Sequence, residues 1–126
     1  MPRKRSILVV EDEVALQKLV RRQAERRGIE VLEALSGEAA LDAAIKRAPG
    51  LILLDLHLPG ARGVTLLTKL KRDPRTAHIP IVVWSGADAA QGEREALAAG
   101  AAAYFEKTDL RAMIERVVEL LVLKQA

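Results

Sequence analysis

Asp55 closes the apolar run Leu51-Ile52-Leu53-Leu54 and is followed at once by Leu56-His57-Leu58-Pro59-Gly60. A continuous apolar run ended by turn residues reads as a buried parallel strand. A carboxylate where such a strand ends lies at the carboxyl edge of a sheet, where open α/β folds place their ligands. A charge so close to a core is costly unless something compensates it. Three more polar features follow comparable runs: Glu11-Asp12 after Ser6–Val10, Ser85 after Ile81–Trp84, and Lys107 after Ala102–Phe105. Three carboxylates on one edge would repel and raise one another's pKa. A hard divalent cation relieves this, and Mg²⁺ is usually held by one or two carboxylates plus a phosphate. No Cys or His cluster points to a transition metal. Carboxylates, an amine and a hydroxyl together suggest a Mg²⁺-dependent phosphoryl site, in which metal and ammonium neutralise the phosphoryl oxygens. The Asp55 carboxylate can itself attack phosphorus to give an aspartyl phosphate.

The rest of the chain must bring these groups to one edge. Strand-like and helix-like segments alternate. Ser6–Val10 is a strand, and Glu13–Arg27 is a helix with Leu16, Leu19 and Val20 on one face, ended by Gly28. Ile29–Ala34 is the second strand. Ser36 caps a helix running to about Ala48, where Pro49-Gly50 stops it. Leu51–Asp55 is the third strand. After the Pro59-Gly60 loop a helix covers about Gly63 to Lys71, broken by Asp73-Pro74. Ile81–Trp84, a helix over about Ala89 to Ala99, and Ala102–Phe105 follow. The last helix, roughly Asp109 to Lys124, carries the apolar stripe Leu110, Met113, Ile114, Val117, Val118 and Leu121. Five strand–helix units in strict alternation imply an α/β fold, a doubly wound parallel sheet with helices on both faces. The natural strand order is 2-1-3-4-5, which sets strands one and three side by side at the switch point.

Composition bounds the alternatives. A chain of 126 residues supports one domain, taken as residues 1–126 with a core over about 5–124 and no effector domain. Half the residues are hydrophobic but only one Trp, one Tyr and one Phe occur, so Ala, Leu and Val must fill the core. That scarcity argues against a platform for stacking single-stranded nucleic acid, and no separate helix-turn-helix segment offers itself for DNA. The net charge of +3 gathers in Arg3-Lys4-Arg5 and in Arg21-Arg22 with Arg26-Arg27. It reads either as a solvated face or as a docking surface for an acidic partner. No Cys means no disulfide and no thiolate metal site. The apolar stretch Ile7–Val10 is too short for a signal-peptide core or a membrane span, so a cytoplasmic location is expected.

The whole pattern resembles a response-regulator receiver domain of two-component signalling, of the flavodoxin-like, chemotaxis-regulator type. The resemblance rests on Ile7-Leu8-Val9-Val10-Glu11-Asp12-Glu13, on Asp55-Leu56-His57-Leu58-Pro59 with Gly63, on Ser85-Gly86, and on Tyr104 three residues before Lys107. It implies that Asp55 is the phosphoacceptor. Asp12 would ligate Mg²⁺ directly, Glu11 would help through water, and the backbone carbonyl of His57 would complete the protein's ligands. Ser85 and the Gly86 amide would hold a phosphoryl oxygen. Lys107 would pair with the phosphoryl group or, before phosphorylation, with Asp55. Tyr104 would be the switch aromatic that follows Ser85 inward. The implied partners are a sensor histidine kinase or phosphotransfer protein near the first helix, and a downstream protein target. A homodimer through helix four, strand five and helix five is also implied, and Val122 and Leu123 stand outside the last helix's main stripe. Nucleic acid and membrane are not expected partners.

Each residue also has a plainer reading. Glu11-Asp12 could cap the first helix, Ser85 could be a loop hydroxyl and Lys107 a surface lysine. Trp84 reads as packing, and His78 as surface. The His57 imidazole would stand near the phosphoryl group and could tune its hydrolysis. Lys107-Thr108 departs from the family's Lys-Pro, so a trans bond is expected there, with Thr108 or Asp109 capping the last helix. Two other functions remain open: a phosphorylation-independent adaptor, and a phosphatase with an Asp nucleophile. The latter's haloacid-dehalogenase-like sites use Asp-x-Asp, whereas position 57 here is His.

Overall fold

A computed structural model describes residues 5–58, 61–86 and 89–125. The Pro59-Gly60 turn and the Arg3-Lys4 part of the basic terminus lie outside them, as does the side chain of Leu123.

The strands are β1 (Ser6–Val10), β2 (Glu30–Ala34), β3 (Leu51–Leu54), β4 (Ile81–Ser85) and β5 (Ala103–Glu106). Interleaved with them are α1 (Val14–Glu25), α2 (Gly37–Arg47), α3 (Gly63–Arg72), α4 (Ala89–Ala98) and α5 (Leu110–Gln125). All neighbouring strand pairs are parallel and the order is β2-β1-β3-β4-β5. A two-residue antiparallel ladder, His57–Leu58 with Ala61–Arg62, joins β3 to α3. Two residues a side carry no readable periodicity, so the sequence shows only a loop there.

The central strands are apolar without interruption because both of their faces are covered. On one face Leu8, Val10, Ile52, Leu54, Ile81 and Val83 pack with Ala40, Ala44, Leu66, Leu67, Leu70 and Ala96 of α2, α3 and α4. On the other, Ile7, Val9, Leu51, Leu53, Val82 and Trp84 meet Val20 and Ala24 of α1 and Met113, Ile114, Val117 and Leu121 of α5. Small Ala side chains on α2 and α4 let those helices sit close to the sheet, which is how so few aromatics suffice.

Several helix ends follow the sequence and others do not. Ser36 caps α2, its hydroxyl accepting the Ala39 N–H at 3.2 Å. That helix ends at Ala48 in the left-handed conformation (φ 44°), one residue before Pro49. In α1 the expected face needs correction: Leu19 is 38 % exposed, and the buried line is Gln17, Val20 and Ala24 with Leu16 at its margin. Tertiary contact has turned the helix so that a glutamine takes an inward position. The start of α5 is also built differently from expectation. The Asp109 carbonyl accepts the Met113 N–H and the Asp109 N–H bonds to Glu106, so main-chain groups make the turn. No capping bond from the Thr108 or Asp109 side chain occurs among the described residues, though the Asp109 charge still lies at the positive end of α5. The Lys107–Thr108 bond is trans.

Candidate active site

Strand register brings the chemistry together. Val10 pairs with Leu54, so the next residues, Glu11 and Asp55, come out side by side. Leu54 pairs with Val83, and Ser85 with Glu106, which sets Ser85 and Lys107 on the same edge. The Asp55 N–H bonds to the Val10 carbonyl at 3.1 Å, and the Lys107 N–H to the Ser85 carbonyl at 3.1 Å.

Lys107 lies between two carboxylates. Its Nζ is 2.7 Å from Glu11 Oε1 and 3.1 Å from Asp55 Oδ2. Glu11 and Asp55 are buried, at 1 % and 3 % exposure, while Asp12 is exposed. One carboxylate oxygen from each of Glu11, Asp12 and Asp55 lies within 4.8 Å of the others. The other Asp55 oxygen, Oδ1, accepts the His57 N–H at 3.0 Å. The residue that opens α1 is Glu13, whose side chain makes no capping bond. The acidic pair is therefore not spent on the helix end.

The electrostatics of the trio follow from its charge count. Burial comes first in raising the Glu11 carboxyl to about 7, helped by Asp55 and opposed by Lys107. Burial would depress the Lys107 ammonium, but its bonds to Glu11 and Asp55 outweigh that and hold it above its ordinary value. The two directions are compatible, since one ammonium cannot neutralise two buried carboxylates. The surplus is one negative charge, which a proton on Glu11 relieves.

Ser85 is fully buried at the end of β4. Gly86 packs against the Lys107 stem, where an added Cβ would stand 3.6 Å from Cδ. Lys107 also lies over Trp84, with Nζ 5.8 Å from the ring centroid. Tyr104 is half-buried on β5 and its hydroxyl reaches α4, where a Cβ at Gly92 would stand 3.2 Å from it. His57 is exposed. Gly63 opens α3 with its N–H on the Leu56 carbonyl at 3.0 Å. A Cβ there would lie 2.7 Å from that oxygen and closer still to the Leu56 Cα, so only glycine fits against the backbone of Leu56, the residue after Asp55.

The donor set suits Mg²⁺. It offers carboxylate oxygens alone, and Glu11 Oε2 is buried without a hydrogen-bond partner among the described residues. The structure thus gathers Glu11, Asp12, Asp55, Ser85, Gly86 and Lys107 at one edge and leaves Tyr104 on the neighbouring surface. Two residues that the sequence pattern does not assign to the site pack against it, Gln17 and Trp84. For Gln17 a signal exists: it sits three and seven residues before Val20 and Ala24, a polar residue at helical spacing in a buried line. Along α1 and its C-terminal cap, Lys18, Arg22 and Arg26 line an open groove, and Arg21 is bonded to Glu33 at 2.9 Å.

Relatives carry the same frame. The chain is 36 % identical over 122 residues to the DNA-binding dual master transcriptional regulator RpaA of Synechocystis sp., covering 96 % of this chain and 49 % of that protein. It is 36 % identical over 104 residues to the polar-differentiation response regulator DivK of Brucella ovis, covering 82 % and 84 %. It thus spans about half the length of RpaA and a smaller share, 22 %, of the response regulator PleD of Caulobacter vibrioides. Among solved structures, a CheY-like response regulator receiver domain protein from Methanospirillum hungatei superposes with a TM-score of 0.89 at 26 % identity, covering 98 % of both chains. The BeF₃-activated receiver domain of Klebsiella pneumoniae RstA gives 0.82 at 28 % identity, covering 92 % and 97 %. The response regulator receiver domain family matches residues 7–118. With its five-stranded parallel sheet and acidic edge, the chain belongs to that family, the receiver domains of two-component signalling.

Proposed function

We propose that this receiver takes a phosphoryl group from a phosphohistidine donor onto Asp55 and changes its surface in response. The observation that carries the reading is the trio of Lys107 between Glu11 and Asp55, with Asp12 completing an all-oxygen cluster. Glu11, Asp12 and Asp55, with the His57 carbonyl, would hold Mg²⁺. When bound, Mg²⁺ supplies charge neutralisation for the phosphoryl oxygens and screens the surplus negative charge of the cluster. An Asp55 carboxylate oxygen forms the new O–P bond. The N–P bond of the donor breaks, and the imidazole nitrogen keeps the electron pair. Lys107 then exchanges a carboxylate contact for a phosphoryl oxygen. Ser85 and the Gly86 amide would donate to another.

The signal leaves through β4 and β5. Ser85 and Tyr104 belong to adjacent strands, with Tyr104 paired to Val83. A pull on Ser85 therefore acts directly on the strand whose aromatic packs on α4. The donor is a histidine kinase or phosphotransfer protein that docks near α1, which begins two residues after Asp12 and whose exposed Lys18 and Arg22, with Arg26 just past its end, line an open groove. A downstream protein, or a second copy of the receiver, reads the α4, β5 and α5 surface. Among the described residues no helix is long and apolar enough to cross a membrane.

Incubation with Mg²⁺ and acetyl phosphate, followed by intact mass, tests this. The expected result is one phosphoryl adduct that requires Mg²⁺ and is lost in Asp55→Asn. No adduct on the wild-type protein favours a constitutive adaptor. Steady release of phosphate from varied monoesters favours a phosphatase.

A further inference from the structure

Gln17 is a polar side chain at 2 % exposure in the buried line of α1. Its amide nitrogen faces three backbone carbonyls: Val9 at 3.0 Å, Glu11 at 3.0 Å and Ala34 at 3.3 Å. The assignment of this amide is fixed by chemistry, because turning it over would aim an acceptor oxygen at three acceptors. Two protons face three carbonyls, and the longest contact is the one to Ala34. The Ala34 carbonyl also accepts the Glu11 N–H at 3.1 Å. Both peptide groups flanking the Glu11 Cα are thereby fixed, one by β2 and the other by Gln17. The second of them is the peptide that joins Glu11 to Asp12. The opposite atom, Gln17 Oε1, is buried and has no hydrogen-bond partner among the described residues. An apolar side chain of the same length would leave no such atom, so packing alone does not account for an amide here.

We infer that Gln17 is a positioning residue that clamps the Glu11–Asp12 peptide and so sets both the affinity and the selectivity of the acidic cluster for Mg²⁺. This rests on the metal-binding reading above. Mg²⁺ demands near-ideal octahedral geometry, whereas Ca²⁺ accepts irregular and variable coordination. A clamp on the backbone between two ligands therefore matters more for the smaller ion. Groups that orient ligands without touching the metal cost roughly 10–100-fold in affinity when removed.

The test uses Gln17→Met, similar in length and without a donor, and measures Mg²⁺ and Ca²⁺ affinity by calorimetry beside thermal unfolding in EDTA. The expected result is Mg²⁺ binding weakened by roughly 10-fold and Ca²⁺ binding weakened much less. A variant that is less stable yet keeps the wild-type ratio of the two affinities overturns the inference and leaves the metal site standing. A wild-type protein that binds no Mg²⁺ overturns both. The wild-type side-chain amide offers a second measurement that needs no variant. Its two protons are expected to exchange slowly and to shift on Mg²⁺ addition in nitrogen-edited spectra. Resonances that exchange freely and do not respond to Mg²⁺ overturn the clamp even if Gln17→Met does not fold.

Discussion

Replacing Lys107 by Met tests how the acidic edge is held together. The ammonium lies 2.7 Å from Glu11 and 3.1 Å from Asp55. At an effective dielectric of 20, those separations correspond to gross attractions of about 6 and about 5 kcal/mol. Desolvation of the three groups and repulsion between the carboxylates offset much of that. Breaking a buried pair by removing one partner costs about 3–5 kcal/mol. Glu11, already near 7, relieves part of the loss by taking a proton. The expected destabilisation without metal is about 2–3 kcal/mol at pH 8 and about half that at pH 5.5, where Glu11 is neutral in both proteins. The sign reverses for the metal. Lys107 competes with a divalent ion for the same oxygens, so Lys107→Met should bind Mg²⁺ more tightly, by about 10-fold for each 1.4 kcal/mol of repulsion removed. Urea unfolding at the two pH values in EDTA and calorimetric Mg²⁺ titration measure both effects. A pH-independent loss of stability, or Mg²⁺ binding weakened by the substitution, would refute the argument that Lys107 stands in for the cation.

Other outcomes follow from the same geometry. Glu11 binds its proton more tightly folded than unfolded, because its folded value of about 7 exceeds the ordinary 4.5. The folded state therefore holds more protons between those values, and metal-free stability should fall as pH rises from 4.5 through 7, by at most about 3 kcal/mol. Glu11→Gln should remove that slope in denaturant titrations, and an unchanged slope would assign it elsewhere. Gly63→Ala gains at most about 1 kcal/mol of helix propensity but drives a methyl into the Leu56 backbone. A net loss of about 2 kcal/mol in chemical unfolding is expected, and a stabilised variant would show that the approach is relaxed in solution. At Gly92 the nearest atoms an added Cβ meets among the described residues are the far end of Tyr104, its hydroxyl 3.2 Å away. Gly92→Ala should leave stability unchanged or raised by up to about 1 kcal/mol while displacing the ring, seen as shifted Tyr104 resonances. An unmoved ring would mean that α4 gives way instead.

Most of the fold is legible in the sequence because its central strands are apolar on both faces and the elements are punctuated by Gly and Pro. The candidate site is legible for a related reason. Asp55, Glu11, Ser85 and Lys107 stand just where apolar runs stop, and a parallel sheet converts those positions into one edge. What the sequence hides is set by helix rotation and by contacts between elements. Whether Leu19 or Gln17 faces inward depends on how α1 lies on the sheet, and both fit a helical period. The Lys107 approach to Trp84 joins the residue that follows β5 to one on β4 by a side-chain reach that no spacing encodes. The α5 start is built by the Asp109 main chain, which capping preferences of side chains do not report.

The chain carries two electric fields of opposite sign. Outside, exposed basic residues such as Lys18, Arg22 and Arg26 belong to a chain of formal net charge +3; at the sheet edge, three carboxylate oxygens crowd within 4.8 Å of one another. At physiological ionic strength the screening length is about 8 Å, longer than the inner cluster and shorter than the distance over which a protein surface steers an approaching partner. Added salt should therefore slow capture of an anionic partner while barely loosening the hold on a small divalent ion, so the two loading steps can be separated by sodium chloride alone.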